Sequence, residues 1–296
     1  MLTSMRVTER SLADATMRGL QANLNRLGAL QEQLSSGRMI SRPSDSPTGT
    51  IVAMQIRGDL RQLQQYSRNT DDGKGWLNTV DSALTASMEL VHRAREQALT
   101  GRSTGSSDQT AREALAGEVD RLRESLIGLA NTKYLDRPVF GGTTTGSTAF
   151  DQNGNYAGDT GQVLRSAGAG IKVRVDSPAA STYGTGPTQL FAVLAQVSTD
   201  LRTNPAALGN DLDLIDTASK LLQSQLSDVG ARYNQLVQLG QAGTERTDQL
   251  RASLSDVEDV DLPKAIMELQ LQQVAYQVAL GAAARVIQPS LQDFLR

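Results

Sequence analysis

Apolar residues return every three or four positions for many turns at both ends of this chain, and only an α-helix gathers residues so spaced on one side. Near the N-terminus the stripe reads Ala13, Met17, Leu20, Leu24, Leu27, Gln31 and Leu34. Near the C-terminus it reads Leu262, Ile266, Leu269, Gln273, Tyr276, Leu280, Ala283 and Ile287. Leu271, Val274 and Val278 add a second apolar edge there, so this helix is equipped to touch more than one neighbour. Each stripe carries one glutamine. Two helices that leave and return to the same body can pair antiparallel. One partner helix covers only part of so wide an apolar surface. The ends are therefore predicted to gain order in an assembly, although periodicity alone also permits an ordinary intramolecular bundle core.

Local signals divide the rest. Ser11 and Asp14 have the spacing of a capping box before the first stripe. Gly37 is a helix stop, and Ser46 followed by Pro47 is an N-cap with proline in the first helical turn. Val52, Ile56, Leu60 and Leu63 resume the helical period, followed by Leu77, Val80, Leu84, Val91, Ala94 and Ala98. Residues 100–108, rich in Gly, Ser and Thr, read as a loop before a helix carrying Leu115, Val119, Leu122, Leu126 and Leu129.

From Pro138 to about Pro187 helical periodicity vanishes. Asn153-Gly154 signals a hairpin, and Ile171 to Val175 alternates as a half-buried strand does. Helix returns at Gln189 to Leu201, breaks at Asn204-Pro205 and restarts near Asn210. The last stretch runs through Leu212, Ile215, Leu222, Leu226, Val229, Tyr233, Leu236, Leu250 and Leu254, with Gly240 and Gly243 placed to bend it or admit a close neighbour.

Composition narrows the function classes. Only 4% of residues are aromatic against 39% hydrophobic, which suits long aliphatic helix seams. A formal charge of -3 with acids and bases interspersed lacks the basic face that nucleic acid or an anionic membrane needs. No stretch approaches a membrane-spanning length, and residues 1–17 have no apolar h-region, so neither membrane insertion nor a cleavable secretory signal is expected. The absence of cysteine removes disulfides and thiolate chemistry.

Reactive constellations are not legible. His92, the only histidine, has no converging partners in the sequence and reads as a surface or helix-end residue. Asp151-Gln-Asn153-Gly-Asn155 hints at a calcium loop, but Gln162 stands where a bidentate glutamate belongs, so a hairpin turn is the better reading. Asp256, Glu258, Asp259 and Asp261 read as N-cap and first-turn acids of the last helix. Gly141-Gly142 lacks the following helix of a phosphate loop. No catalytic residue, cofactor or metal site is predicted, and an enzyme is not expected.

Three motifs resemble the flagellin superfamily, and within it the hook–filament junction proteins more closely than the flagellins. They are Leu30-Gln-Glu-Gln-Leu-Ser-Ser-Gly-Arg-Met-Ile-Ser-Arg-Pro-Ser-Asp-Ser-Pro47, Ala130-Asn-Thr-Lys-Tyr134 with Val139-Phe-Gly-Gly142, and Ser255 to Asp261 continuing through Ala283 to Leu295. Ser46 replaces the family's second aspartate but keeps N-capping ability. The Arg42-to-Pro47 run and the Pro289-Ser-Leu-Gln-Asp-Phe ending differ from the usual flagellin pattern. The resemblance implies export by the flagellar type III apparatus and a place between hook-associated protein 1 and flagellin, in a ring of copies. It also implies a cytosolic export chaperone guarding the C-terminal helix.

The expected fold is mainly α: an elongated antiparallel helical bundle or coiled coil from the N- and C-terminal regions, with a small central β insertion. Its expected zones are a terminal helix pair (1–40 with 258–296), a helical rod (41–137 with 188–257) and a β outer domain (138–187). The candidate assembly interface is Met17, Leu20, Leu24, Leu27, Leu34, Leu262, Ile266, Leu269, Tyr276, Leu280 and Ile287. Arg38, Arg42 and Asp45, charged and close to two prolines, are the candidate hinge. A flagellin filament subunit and a cytosolic helical scaffold are the competing readings.

Overall fold

A computed structural model describes residues 9–103 and 108–287. Its helices are α1 (Glu9–Ser36), α2 (Pro47–Ser103), α3 (Gln109–Ala130), α4 (Ala179–Tyr183), α5 (Leu190–Thr203), α6 (Leu208–Glu258) and α7 (Leu262–Ile287). The strands are β1 (Lys133–Tyr134), β2 (Arg137–Pro138), β3 (Leu164–Gly168) and β4 (Ile171–Arg174), paired antiparallel as β1 with β2 and β3 with β4. The fold is mainly α with two small central sheets, as the periodicity requires. The chain forms two compact units, residues 1–61 with 248–296 and residues 62–247.

In the second unit, α2 and α6 supply long aliphatic seams. Leu77, Val80, Leu84, Val91 and Ala94 of α2 join Leu212, Ile215, Leu222, Val229 and Leu236 of α6 in one buried cluster. There α3 packs against α5. The scarce aromatics collect where the strands meet these helices. Phe150 makes edge contacts with Tyr183 and Phe191 at 5.4 and 5.1 Å between ring centroids, and Phe140 does so with Tyr183 at 5.2 Å. Rings supply large buried area where short strands offer few side chains. Asn131, just after α3, fixes this region: its Oδ1 accepts from the backbone N–H of Ala149 and Phe150 at 2.7 and 2.8 Å, and its Nδ2 donates to the Phe150 carbonyl. That gives the Ala130-Asn-Thr segment a structural reason.

Most local signals act where they stand. Gly37 takes φ +70° directly after α1, a conformation open to glycine at little steric cost. Ser46 Oγ accepts from Gly49 N–H at 3.2 Å at the start of α2. The Asn153-Gly154 hairpin closes by a bridge between Phe150 and Tyr156. Two readings are corrected. Helix α1 is already running at Glu9, so Ser11 lies inside it rather than at its cap. Residues 100–103 belong to α2, and Gly101 is a contact rather than a break: a Cβ there would lie 2.1 Å from Leu201 Cδ2. The missing Cβ lets the Leu201 side chain of α5 pack directly onto α2 there. The stop expected at Pro289 lies outside the described residues.

Candidate assembly surface

In the first unit α1 packs against α7, and the contact face differs from the one that the periodicity drew. On α7 the residues turned inward are Ala265, Leu269, Gln272, Tyr276, Ala279 and Ala283, all buried or half-buried. On α1 they are Leu20, Asn23, Leu27, Leu30 and Leu34, each half-buried. The seam holds a polar pair, Gln272 Nε2 donating to Asn23 Oδ1 at 3.2 Å and to the Asn23 carbonyl at 3.4 Å.

The predicted interface residues therefore divide. Leu20, Leu27, Leu34, Leu269 and Tyr276 lie on the intramolecular seam. Met17, Leu24, Leu262, Ile266 and Leu280 are exposed beside it. The side chain of Ile287 lies outside the described residues. The second edge is the more prominent one: Met267, Leu271, Val274 and Val278 are 60%, 66%, 59% and 67% exposed. At 100° per residue they form one stripe roughly 200° round the helix from the seam. Ile51 and Met54 on the first turns of α2 are exposed too, and the sequence stripe through Val52 and Ile56 passed them over. Single exposed apolar side chains are ordinary, whereas an ordered row of four large ones is a less common arrangement on a soluble surface.

The corner between α1 and α2 is built from backbone and charge. Met39 N–H donates to the Glu258 carbonyl at 2.7 Å and Val260 N–H to the Gly37 carbonyl at 3.0 Å, giving a bridge between Arg38 and Asp259. Asp45 Oδ2 accepts from the N–H groups of Ser41 and Arg42 at 3.1 and 2.8 Å, which folds the turn back on itself. Arg42 reaches both Glu32 oxygens at 3.0 and 3.1 Å. Arg38 takes part through its backbone, donating from N–H to Ser36 Oγ at 3.3 Å.

Sequence reasoning missed Arg57, whose guanidinium meets the buried Glu258 carboxylate at 2.6 Å. Glu258 is thus the last residue of α6 and not a first-turn acid of α7. Of the acidic run, Asp261 has the capping role, accepting from Lys264 N–H at 3.1 Å.

The remaining candidates have structural partners. His92 is exposed on α2. Asp151 accepts from Asn153 N–H, Asn155 N–H and Asn155 Nδ2, and these bonds hold its carboxyl below the usual range. A groove of about 610 Å³ in the second unit is lined by Asp159, Arg174 and Gln189 among others. Their polar groups are engaged within the fold: Asp159 by Thr143 and Gly161, Arg174 by Asp176, Gln189 by the Gly154 carbonyl. No helix among the described residues is long and apolar enough to cross a membrane.

Comparison with known proteins gives this surface its context. The family model of the bacterial flagellin N-terminal helical region matches residues 7–145, and that of the C-terminal helical region matches residues 212–295. The chain is 26% identical to a flagellin of Bacillus subtilis, over 96% of this chain and 97% of that one. It is 24% identical to flagellar hook-associated protein 3 of Escherichia coli, over 94% and 96%. The crystal structure of flagellar hook-associated protein-3 from Legionella pneumophila shares the fold with a TM-score of 0.61 at 15% identity, covering 69% of this chain and 98% of that one. Both ends of the chain, with the paired helices and outward apolar rows they carry, fall within the flagellin helical regions. The chain belongs to the flagellin superfamily and is a structural subunit of the bacterial flagellum that assembles with other flagellar components.

Proposed function

We propose that this chain is hook-associated protein 3, the junction subunit whose ring of copies adapts hook-associated protein 1 on the hook to flagellin in the filament. The observation that carries this reading is likeness to proteins of that name, over 94% of this chain in sequence and 69% in fold. The outward row Met267, Leu271, Val274 and Val278 supports it physically, because α1 does not cover that row. The residues proposed to meet neighbouring subunits are this row together with Met17, Leu24, Leu262, Ile266 and Leu280. Leu20, Leu27, Leu34, Leu269 and Tyr276 hold the helix pair that presents them.

The chain acts in three zones on this reading: a terminal pair (1–40 with 258–296) that gains stability in the assembly, a helical rod (41–137 with 188–257) and an outer β region (138–187). Arg38, Arg42 and Asp45 set the bend between pair and rod, which the Asp45 turn and the Arg42–Glu32 pair support. Export by the flagellar type III apparatus, with a chaperone covering the C-terminal helix beforehand, completes the proposal.

A filament subunit is the second reading, favoured by 26% identity to flagellin over nearly the whole chain. A deletion strain separates the two. Intact hooks without filaments, with flagellin released outside the cell, is the junction outcome. Intact hooks with no flagellin in the medium is the filament outcome.

A further inference from the structure

Helix α7 carries large apolar side chains on two sides, and only one of the two faces α1. Its inward face offers Leu269 and Tyr276 with Ala265, Ala279, Ala283 and the amide of Gln272, while Met267, Leu271, Val274 and Val278 face away. Turning α7 about its axis would lay those four large side chains against Leu20, Leu27, Leu30 and Leu34. The backbone bridge at residues 37–39 and 258–260 anchors the entry to the pair, and Asp261 caps α7 directly after it. Gln272 is about 15 Å along the helix from its first residue. A polar pair inside an apolar seam is satisfied in one arrangement only, and a lone asparagine at such a position is a well-attested device for fixing helix pairing.

We propose that Asn23 and Gln272 are the orientation-determining pair of the terminal hairpin. Their hydrogen bond selects the rotational setting of α7 that keeps its large apolar row outward. Rotation would carry Gln272 out to water and cover the Asn23 amide with hydrocarbon, leaving the Asn23 amide unsatisfied. The use of the exposed row rests on the assembly reading above, whereas the selection is a property of the isolated chain.

The chain has no cysteine, so engineered pairs report the orientation directly. Continuing the antiparallel register of Asn23 and Gln272 two turns along each helix brings Thr16 level with Ala279, both half-buried. Val278, one residue away, is turned outward. In the full chain with Asn and Gln in place, Thr16→Cys with Ala279→Cys should form a disulfide under mild oxidation at least ~10 times faster than Thr16→Cys with Val278→Cys. Adding Asn23→Leu and Gln272→Leu should abolish or reverse that preference while helicity by circular dichroism is kept. The reciprocal exchange Asn23→Gln with Gln272→Asn should retain it. If the leucine variant does not fold, Asn23→Ala with Gln272→Ala serves, with the same loss expected. An unchanged preference in a folded leucine or alanine variant overturns the proposal and leaves the assembly reading untouched. Lost preference with normal filament attachment supports the orientation pair while counting against the use of the row.

Discussion

Replacing Leu271 and Val278 together by serine tests the outward face of α7 quantitatively. The two side chains are 66% and 67% exposed in the isolated chain, so their removal should disturb it less than it disturbs the assembly. Full burial of a leucine or valine is worth roughly 1.5–3 kcal/mol, and two-thirds of that, roughly 1–2 kcal/mol each, remains to be gained on assembly. The double substitution should weaken incorporation by roughly 2–4 kcal/mol per subunit, or roughly 30- to 900-fold. The isolated variant should lose roughly 1–2 kcal/mol, the share of the third of each side chain that is already covered. Wild type and variant would be co-expressed, with their ratio measured by mass spectrometry in the secreted pool and in purified hook–filament structures. Depletion from the structures but not from the secreted pool is the expected result. Equal incorporation of the folded variant would refute the assignment of this row to subunit contacts.

Three further outcomes follow from the geometry. Asp211 is buried beside Asp200, and burial together with that neighbouring charge pushes its carboxyl up to about 6. A carboxyl raised in the folded state stabilises it fully below the unfolded value near ~3.9, and the contribution is lost as pH rises through about 6. Asp211→Asn should therefore match wild type at pH 4 and exceed it by on the order of 2 kcal/mol at pH 8 in urea titrations; a pH-independent difference contradicts the pair. Arg57→Ala strips the buried Glu258 carboxylate of its cation and should cost about 1–2 kcal/mol, the lower part of the range for such pairs because Arg57 is partly solvated. Gly37→Ala adds a Cβ that meets nothing within 4 Å, so its cost is the left-handed backbone alone, about 1 kcal/mol by thermal unfolding.

The parts of this fold that were legible in sequence follow short-range rules. Gly37, Ser46-Pro47, Asn153-Gly154 and Asn204-Pro205 act within a few residues of themselves, and all four stand at helix ends or turns. The choice of seam was not legible, because α7 carries apolar residues on several sides and a pattern stepping by four and three fits more than one of them. The polar residue of the seam is Gln272 rather than the neighbouring Gln273, a difference of one position and 100° of rotation. Asn23 is passed over because the stripe runs through its neighbour Leu24, 100° round the helix. Glu258 ends α6 and pairs with Arg57, 201 residues away, a contact that no local pattern announces. Asp200 and Asp211 meet only because the chain turns at Asn204-Pro205 between them.

Solvent access at Val274 tests the central claim most directly. A Val274→Cys chain carries one thiol, since the natural sequence has none. In the free subunit a maleimide should label it within the time needed for an exposed thiol, because Val274 is 59% exposed. In purified hook–filament structures the same thiol should be protected. Equal labelling in both states would mean that the outward row of α7 meets no neighbour, and the account of these helices as assembly elements would fall.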